Sequence, residues 1–255
     1  MSSYLITGCS QGLGLAMVKH LLTFPTSSVA LVVATSCSST PNAALKETID
    51  DSKGRVVHVE MDIVSESSVE SAADKTSKPL GNKGLDVLVN NAGLTATCFS
   101  AFAGDMDDLS TCFDTNVVAV HRTIKAFLPL LRASKGKKIM NISSTQGSIT
   151  RAFQPPHSYA HAPDYKISKA ALNMLTVQWA KSLQDEGFCV LAISPGHLQT
   201  KLGTGGGNFN ADLPVEVGAE KTLEIISGCS VADNAAFKNI KVEGWQLYQG
   251  ENVEW

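Results

Sequence analysis

The chain has 255 residues, of which 44% are hydrophobic and 18% charged, a balance that builds a sizeable core and excludes a disordered polymer. A formal net charge of −3 supplies no positive field to hold a phosphate backbone or an anionic membrane surface, which argues against nucleic-acid and membrane partners. The six cysteines, Cys9, Cys37, Cys98, Cys112, Cys189 and Cys229, include no CxxC pair and no ligand-like spacing to a histidine. They read as small buried hydrophobes in a reducing cytoplasm, with no metal site expected.

The N-terminus enters an apolar stretch within three residues, without a basic leader, and no apolar run approaches the roughly 18 residues of a membrane span. The first run, YLIT (4–7), reads as a strand and LGLAMVKHLL (13–22) as a helix. Between them lies TGCSQGLG, with Gly8, Gly12 and Gly14. Glycines at a strand-to-helix turn let the backbone approach a pyrophosphate, while the helix N-terminus offers free N–H groups and the positive end of its dipole.

Further apolar, β-branched runs follow: VALVVA (29–34), RVVHVEM (55–61), LDVLVN (85–90), KIMNIS (138–143) and CVLAIS (189–194). Fully apolar strands belong to a parallel sheet covered on both faces. Helical periodicity recurs at 117–131 and 169–183. Strand and helix in alternation predict right-handed crossovers and an α/β doubly wound parallel sheet of Rossmann type, one domain over 1–255, with ligands outside the carboxyl ends of the strands. Two segments break the rhythm, at about 147–164 and 201–213, and read as substrate loops. Within YKISK, Tyr165 and Lys169 stand four apart and share a helix face. A free tyrosine has a pKa near 10, and a neighbouring cation lowers it, so the spacing alone admits two readings: one turn of an ordinary amphipathic helix, or an acid and its tuning charge.

In order along the chain, TGCSQGLG, NNAG (90–93), Asn116 in FDTNVVAV, ISSTQG (142–147), YKISK and SPGHLQT (194–200) resemble the short-chain dehydrogenase/reductase family, and the terminal GENVEW resembles its carbonyl-reductase-like branch. The resemblance implies an oxidoreductase that moves a hydride between a nicotinamide cofactor and a lipophilic carbonyl or secondary alcohol. It implies Tyr165 as acid/base, Lys169 as its partner and ribose ligand, Ser144 as the carbonyl-holding hydroxyl with Ser143 in reserve, and Asn116 as holder of a relay water. The implied cofactor set is Gly8, Ser10, Gln11, Gly12, Leu13, Gly14, Ser36, Asp62, Ile63, Asn91, Ala92, Gly93, Tyr165, Lys169, Pro195, Gly196, Leu198 and Thr200. Asn90 reads as a tie between strands, and Asp62 alternatively as a helix N-cap.

Cofactor choice turns on charges that are missing. No carboxylate stands at Ser36 to bar a 2′-phosphate, and Gln11 and Cys37 occupy positions where related chains place a cation. The hydroxyl run Ser36, Ser38, Ser39 and Thr40 favours NADP(H), with NAD(H) as the alternative. The long insert before Tyr165 reads as a pocket wall bearing Phe153, His157, Tyr159 and His161; its prolines give the two histidines no shared helix face for a metal. Tyr159 lacks a lysine four residues on, where Pro163 stands, and Lys201 reads as a lid-surface charge. A homodimer or homotetramer through helices around 105–134 and 163–187 is the family expectation. The competing reading is a non-redox isomerase, cyclase or dehydratase, or a cofactor-sensing protein, on the same fold.

Overall fold

The computed structural model describes residues 1–95, 106–154, 162–207 and 210–255. Seven strands form one parallel sheet in the order β3-β2-β1-β4-β5-β6-β7: β1 (Ser2–Ile6), β2 (Val29–Ser36), β3 (Val56–Glu60), β4 (Val87–Asn90), β5 (Lys138–Ile142), β6 (Cys189–Ser194) and β7 (Phe237–Asn239). β1 pairs with β2 on one side and β4 on the other, so the strand order reverses there and opens a crevice at their carboxyl ends. This is the expected Rossmann-type sheet. The seventh strand is absent from the sequence reading because it is three residues long and two of them, Lys238 and Asn239, are polar.

Helices cover both faces. On one, α1 (Gly12–Thr23), α2 (Ala43–Asp51) and α7 (Val215–Gly228) pack Met17, Leu21, Leu45 and Ile226 against Ile6, Val32, Val89 and Leu191. On the other, α3 (Glu66–Leu80), α5 (Ala119–Arg132) and α6 (Pro163–Ser182) bring Val69, Phe127 and Leu172 against Leu5, Val33, Leu88 and Val190. Each such side chain, fully withdrawn from water, contributes about 1.5–3 kcal/mol. No helix among the described residues is long and apolar enough to cross a membrane.

Three local features bear on the site. A short α4 (Leu109–Phe113) runs through one π turn, Asp114–Val118, into α5. The loop after β5 ends where α6 starts at Pro163, two residues before Tyr165. Beyond β7 the chain doubles back: Val253 N–H donates to the Phe237 carbonyl, Ser148 Oγ donates to the Glu254 carbonyl at 2.6 Å, and Thr150 N–H to that of Trp255 at 3.1 Å. The tail thus covers the sheet edge and fixes the start of the loop after β5.

Candidate active site

The crevice is closed at its base by a threonine. Thr7 Oγ1, just past β1, accepts from the N–H groups of Asn91 and Ala92 at 3.0 and 2.8 Å, and Asn91 Nδ2 donates to the Thr7 carbonyl at 2.7 Å. The ends of β1 and β4 are thereby held together under the glycine turn. Gly8 (φ 72°) and Gly12 (φ 57°) take left-handed conformations that other residues adopt only with strain. A Cβ on Gly14 would overlap the Gly8 carbonyl oxygen and the Asn91 amide. Gln11, the residue before α1, makes no side-chain cap, so the first N–H groups of that helix are left for an anion. Ser10 is held by its carbonyl, which accepts from Asn42 Nδ2 at 2.7 Å, and Leu13 packs into the core below. A bare backbone cradle at a helix N-terminus fits a dinucleotide pyrophosphate.

On the β2 side, Cys9 N–H donates to the Thr35 carbonyl at 2.7 Å, tying the end of β2 to the turn. Ser36 is buried, and its Oγ lies 2.9 Å from His58 Nε2 on β3. Cys37 is exposed, which corrects its reading as a buried hydrophobe. Asp62 follows β3 close enough to Cys37 that its carboxylate raises the thiol pKa, although desolvation is the larger cause. Asp62 Oδ1 accepts from Val64 N–H at 3.1 Å, whereas Ser65 caps α3, so the N-cap reading of Asp62 does not hold. Ile63 is buried beside it.

On the other side of the crevice stand the four residues of the expected catalytic set. Tyr165 lies on the first turns of α6, packed against Cys112 and Ala162. Lys169, one turn on, is buried and places Nζ 5.6 Å from the centre of the Tyr165 ring. Nζ donates to the Ile142 carbonyl at 2.8 Å. Desolvation lowers the Lys169 pKa from 10.5 to about 8. Desolvation also pushes the Tyr165 phenol up to about 12, with a hydrogen bond to the Ser144 hydroxyl as the main opposing influence. In the cofactor-free chain burial sets the tyrosine pKa, while the Lys169 amino group donates to a backbone carbonyl.

Ser143 is no substitute for Ser144, because its Oγ is buried and bonded to Asn173 Oδ1 at 2.6 Å. Asn116 sits in the π turn, 1% exposed: Oδ1 accepts from Leu94 N–H, and Nδ2 donates to the Leu94 carbonyl and to Ser168 Oγ, all at 2.8–2.9 Å. Its side chain ties the π turn to Leu94 and to α6, and the second lone pair of Oδ1 has no hydrogen-bond partner among the described residues. Gly93 lies beside it; a Cβ there would come 3.1 Å from Asn116 Oδ1 and 3.7 Å from Lys169 Nζ. Asn90 joins Asn141 across the strands at 2.8 Å, as expected of a tie.

Pro195 and Gly196 leave β6 for the crevice, Gly196 with φ 89°. Leu198 bridges to Leu213, both buried, and Thr200 Oγ1 accepts from Gly203 N–H at 3.0 Å. Thr200 faces Gly12 from across the crevice, with its methyl 3.5 Å from where a Gly12 Cβ would stand. Lys201 is exposed. Phe153 is 97% exposed among the described residues, and His157, Tyr159 and His161 lie outside them. Sequence reasoning missed His58, whose partner Ser36 is 22 residues away and meets it only through the pairing of β2 with β3.

Residues 3–207 match the short chain dehydrogenase family. The short-chain dehydrogenase/reductase AacuF of Aspergillus aculeatus is 34% identical, over 91% of this chain and 94% of its own length. Among solved structures, the NADPH-bound carbonyl reductase from chicken fatty liver superposes with a TM-score of 0.84 at 28% identity, covering 100% of this chain and 99% of its own. The carbonyl reductase Sniffer of D. melanogaster gives 0.84 at 27% identity, covering all of both chains.

Proposed function

Because the chain belongs to the short-chain dehydrogenase/reductase family and is an NAD(P)-dependent oxidoreductase, we propose that it reduces a lipophilic aldehyde or ketone, or oxidises the matching secondary alcohol, with NADP(H) as the preferred cofactor and NAD(H) as the alternative. The carbonyl reductases among its structural relatives support the substrate class, and the NADPH bound to the chicken enzyme supports the cofactor. The observation that carries the reading is the buried Tyr165 phenol with Lys169 Nζ 5.6 Å from the centre of its ring and the Ser144 side chain near enough to oppose the rise of its pKa.

The bound nicotinamide supplies or accepts the hydride. The chain's own groups handle the proton and the charge. Tyr165, protonated up to about pH 12 in the free protein, gives its proton to the carbonyl oxygen, and the Ser144 hydroxyl holds that oxygen. The developing phenolate draws on Lys169, whose ammonium stabilises it and whose lowered pKa lets it pass a proton on. Asn116, tied to Leu94 and Ser168 in the π turn and beside Gly93 and Lys169, holds the relay water. The glycine turn at Gly8, Gly12 and Gly14 holds the pyrophosphate, Ser36, Asp62 and Ile63 border the adenosine, Asn91, Ala92 and Gly93 form the floor, and Pro195, Gly196, Leu198 and Thr200 form the far wall. The described parts of the two loops, 147–154, 162–164, 201–207 and 210–213, flank the substrate. The exposed apolar side chains Phe113, Val118, Ile167 and Met174 on α4 to α6 are the face for a homodimer or homotetramer.

Tyr165→Phe tests the assignment. Turnover of a carbonyl panel, followed by nicotinamide absorbance, is expected to fall by 10³-fold or more while dinucleotide affinity stays within about threefold. Retained turnover would remove the tyrosine from its role.

A further inference from the structure

The chain carries no arginine or lysine at Gln11 or Cys37 to meet a 2′-phosphate, yet a donor system lies buried at the end of β2. Ser36 Oγ is 2.9 Å from His58 Nε2 and 3.4 Å from the Ser38 carbonyl. A serine hydroxyl owns one proton and two lone pairs. Both contacts are made together only when His58 Nε2 carries the ring proton and donates, leaving the hydroxyl proton for Ser38. At 3.4 Å that second bond is well beyond the ordinary 2.5–3.0 Å of an O–H···O contact. The Ser36 proton is therefore held loosely, toward the exposed run Cys37 to Thr40, and is free to turn to a better acceptor.

Burial keeps His58 on the neutral side, its pKa below the ordinary 6.5, with Glu60 opposing the shift. A neutral imidazole with its proton on Nε2 fixes the sense of the Ser36 hydroxyl as donor. The opposite tautomer would consume the hydroxyl proton and leave Ser36 an acceptor only. A phosphate oxygen accepts and cannot donate, whereas a ribose 2′-hydroxyl does either. The two cofactors thus place different demands on Ser36.

We propose that His58 is a positioning residue for cofactor selectivity: by donating to Ser36 Oγ it turns the Ser36 hydroxyl outward as a donor to the 2′-phosphate of NADP(H), the function a cation serves in related chains. This rests on the reading of the β2 end as the adenosine-ribose site. The device is neutral and stands near the Asp62 carboxylate, so it discriminates modestly and tolerates NAD(H).

The test is a fluorescence titration of NADPH and NADH into wild type, His58→Leu, His58→Gln and Ser36→Ala, each checked for native circular dichroism. Wild type is expected to bind NADPH more tightly than NADH. His58→Leu and Ser36→Ala are each expected to weaken NADPH about tenfold, the worth of one charge-assisted hydrogen bond, with NADH changed less than twofold. His58→Gln, which keeps an N–H donor, is expected to restore most of the preference. An unchanged NADPH-to-NADH ratio in folded His58→Leu overturns the proposal, and Ser36→Ala decides it in the same way should the histidine variant fail to fold. Wild type that binds neither dinucleotide overturns the underlying reading instead, a result distinct from a lost preference.

Discussion

The hydroxyl of Ser143 donates to Asn173 Oδ1 at 2.6 Å between two buried residues, while its neighbour Ser144 accepts from the Gln146 N–H at 3.2 Å and is the serine that opposes the rise of the Tyr165 pKa. Adjacent, chemically identical side chains thus have separate partners. Ser143→Ala leaves Asn173 Oδ1 without its donor and is expected to cost about 1–3 kcal/mol in urea unfolding with kcat nearly unchanged. Ser144→Ala is expected to do the reverse, lowering kcat/KM by about 10²–10³ with the unfolding midpoint close to wild type. If Ser143→Ala alone lost activity, the assignment would be exchanged.

Lys169 makes stability depend on pH. Its pKa falls from 10.5 to about 8 on folding, so between those values the unfolded chain binds more protons than the native one and stability rises with pH. Below pH 8 both states are protonated and the full desolvation cost of roughly 3 kcal/mol is present. Tyr165 acts oppositely at higher pH: with a native pKa of about 12 against 10.0 unfolded, it makes stability fall above pH 10. The buried thiols of Cys9 and Cys112, raised above 9.0 by desolvation, oppose the lysine's contribution above about pH 9, so the expectation is for the difference: the urea midpoint of wild type relative to Lys169→Met climbs from pH 8 toward pH 10 in the cofactor-free protein. A difference that stays flat would contradict the burial of a titrating lysine.

Gly14 has no room for a methyl group. A Cβ would meet the Gly8 carbonyl oxygen and the Asn91 amide, both backbone-anchored, and would force the turn apart. Gly14→Ala is expected to lower dinucleotide affinity more than tenfold, read by fluorescence titration. Gly12→Ala, where the nearest atom is the Thr200 methyl at 3.5 Å and only the φ of 57° resists, is expected to cost about 1–2 kcal/mol of stability and less affinity. Equal effects from the two substitutions would refute this difference.

Legibility followed chemistry that is local in the chain. Six strands were readable because each is a continuous apolar run, and the glycine turn because its residues are consecutive. The seventh strand was not, since Phe237–Asn239 owes its place to pairing with β6 and to the tail folded over it. The π turn at Asp114–Val118 leaves no sequence signal, so the ties of the Asn116 amide to Leu94 and Ser168 were invisible. The Tyr165 spacing to Lys169 was legible, but the direction of the tyrosine pKa was not, because desolvation depends on Cys112, Ala162 and the surrounding fold. The resemblance placed Ser144 ahead of Ser143, but the partner that takes Ser143, Asn173 30 residues on, is visible only in the fold.

The inward face of α6 is unusual for a helix packed on a sheet: Asp164, Ser168, Lys169, Asn173 and Thr176 are all buried. Each answers a fixed partner, in turn the Asp108 N–H, Asn116 Nδ2, the Ile142 carbonyl, Ser143 Oγ and Asn141 Nδ2. Greasy contacts tolerate a helix turning about its axis; these five do not, because a rotation by one residue, about 100°, would strand all of them at once. α6 is keyed like a shaft in a slotted hub. The angular setting of the reactive tyrosine is consequently a property of the whole five-turn helix, set as firmly three turns below the crevice as at its rim.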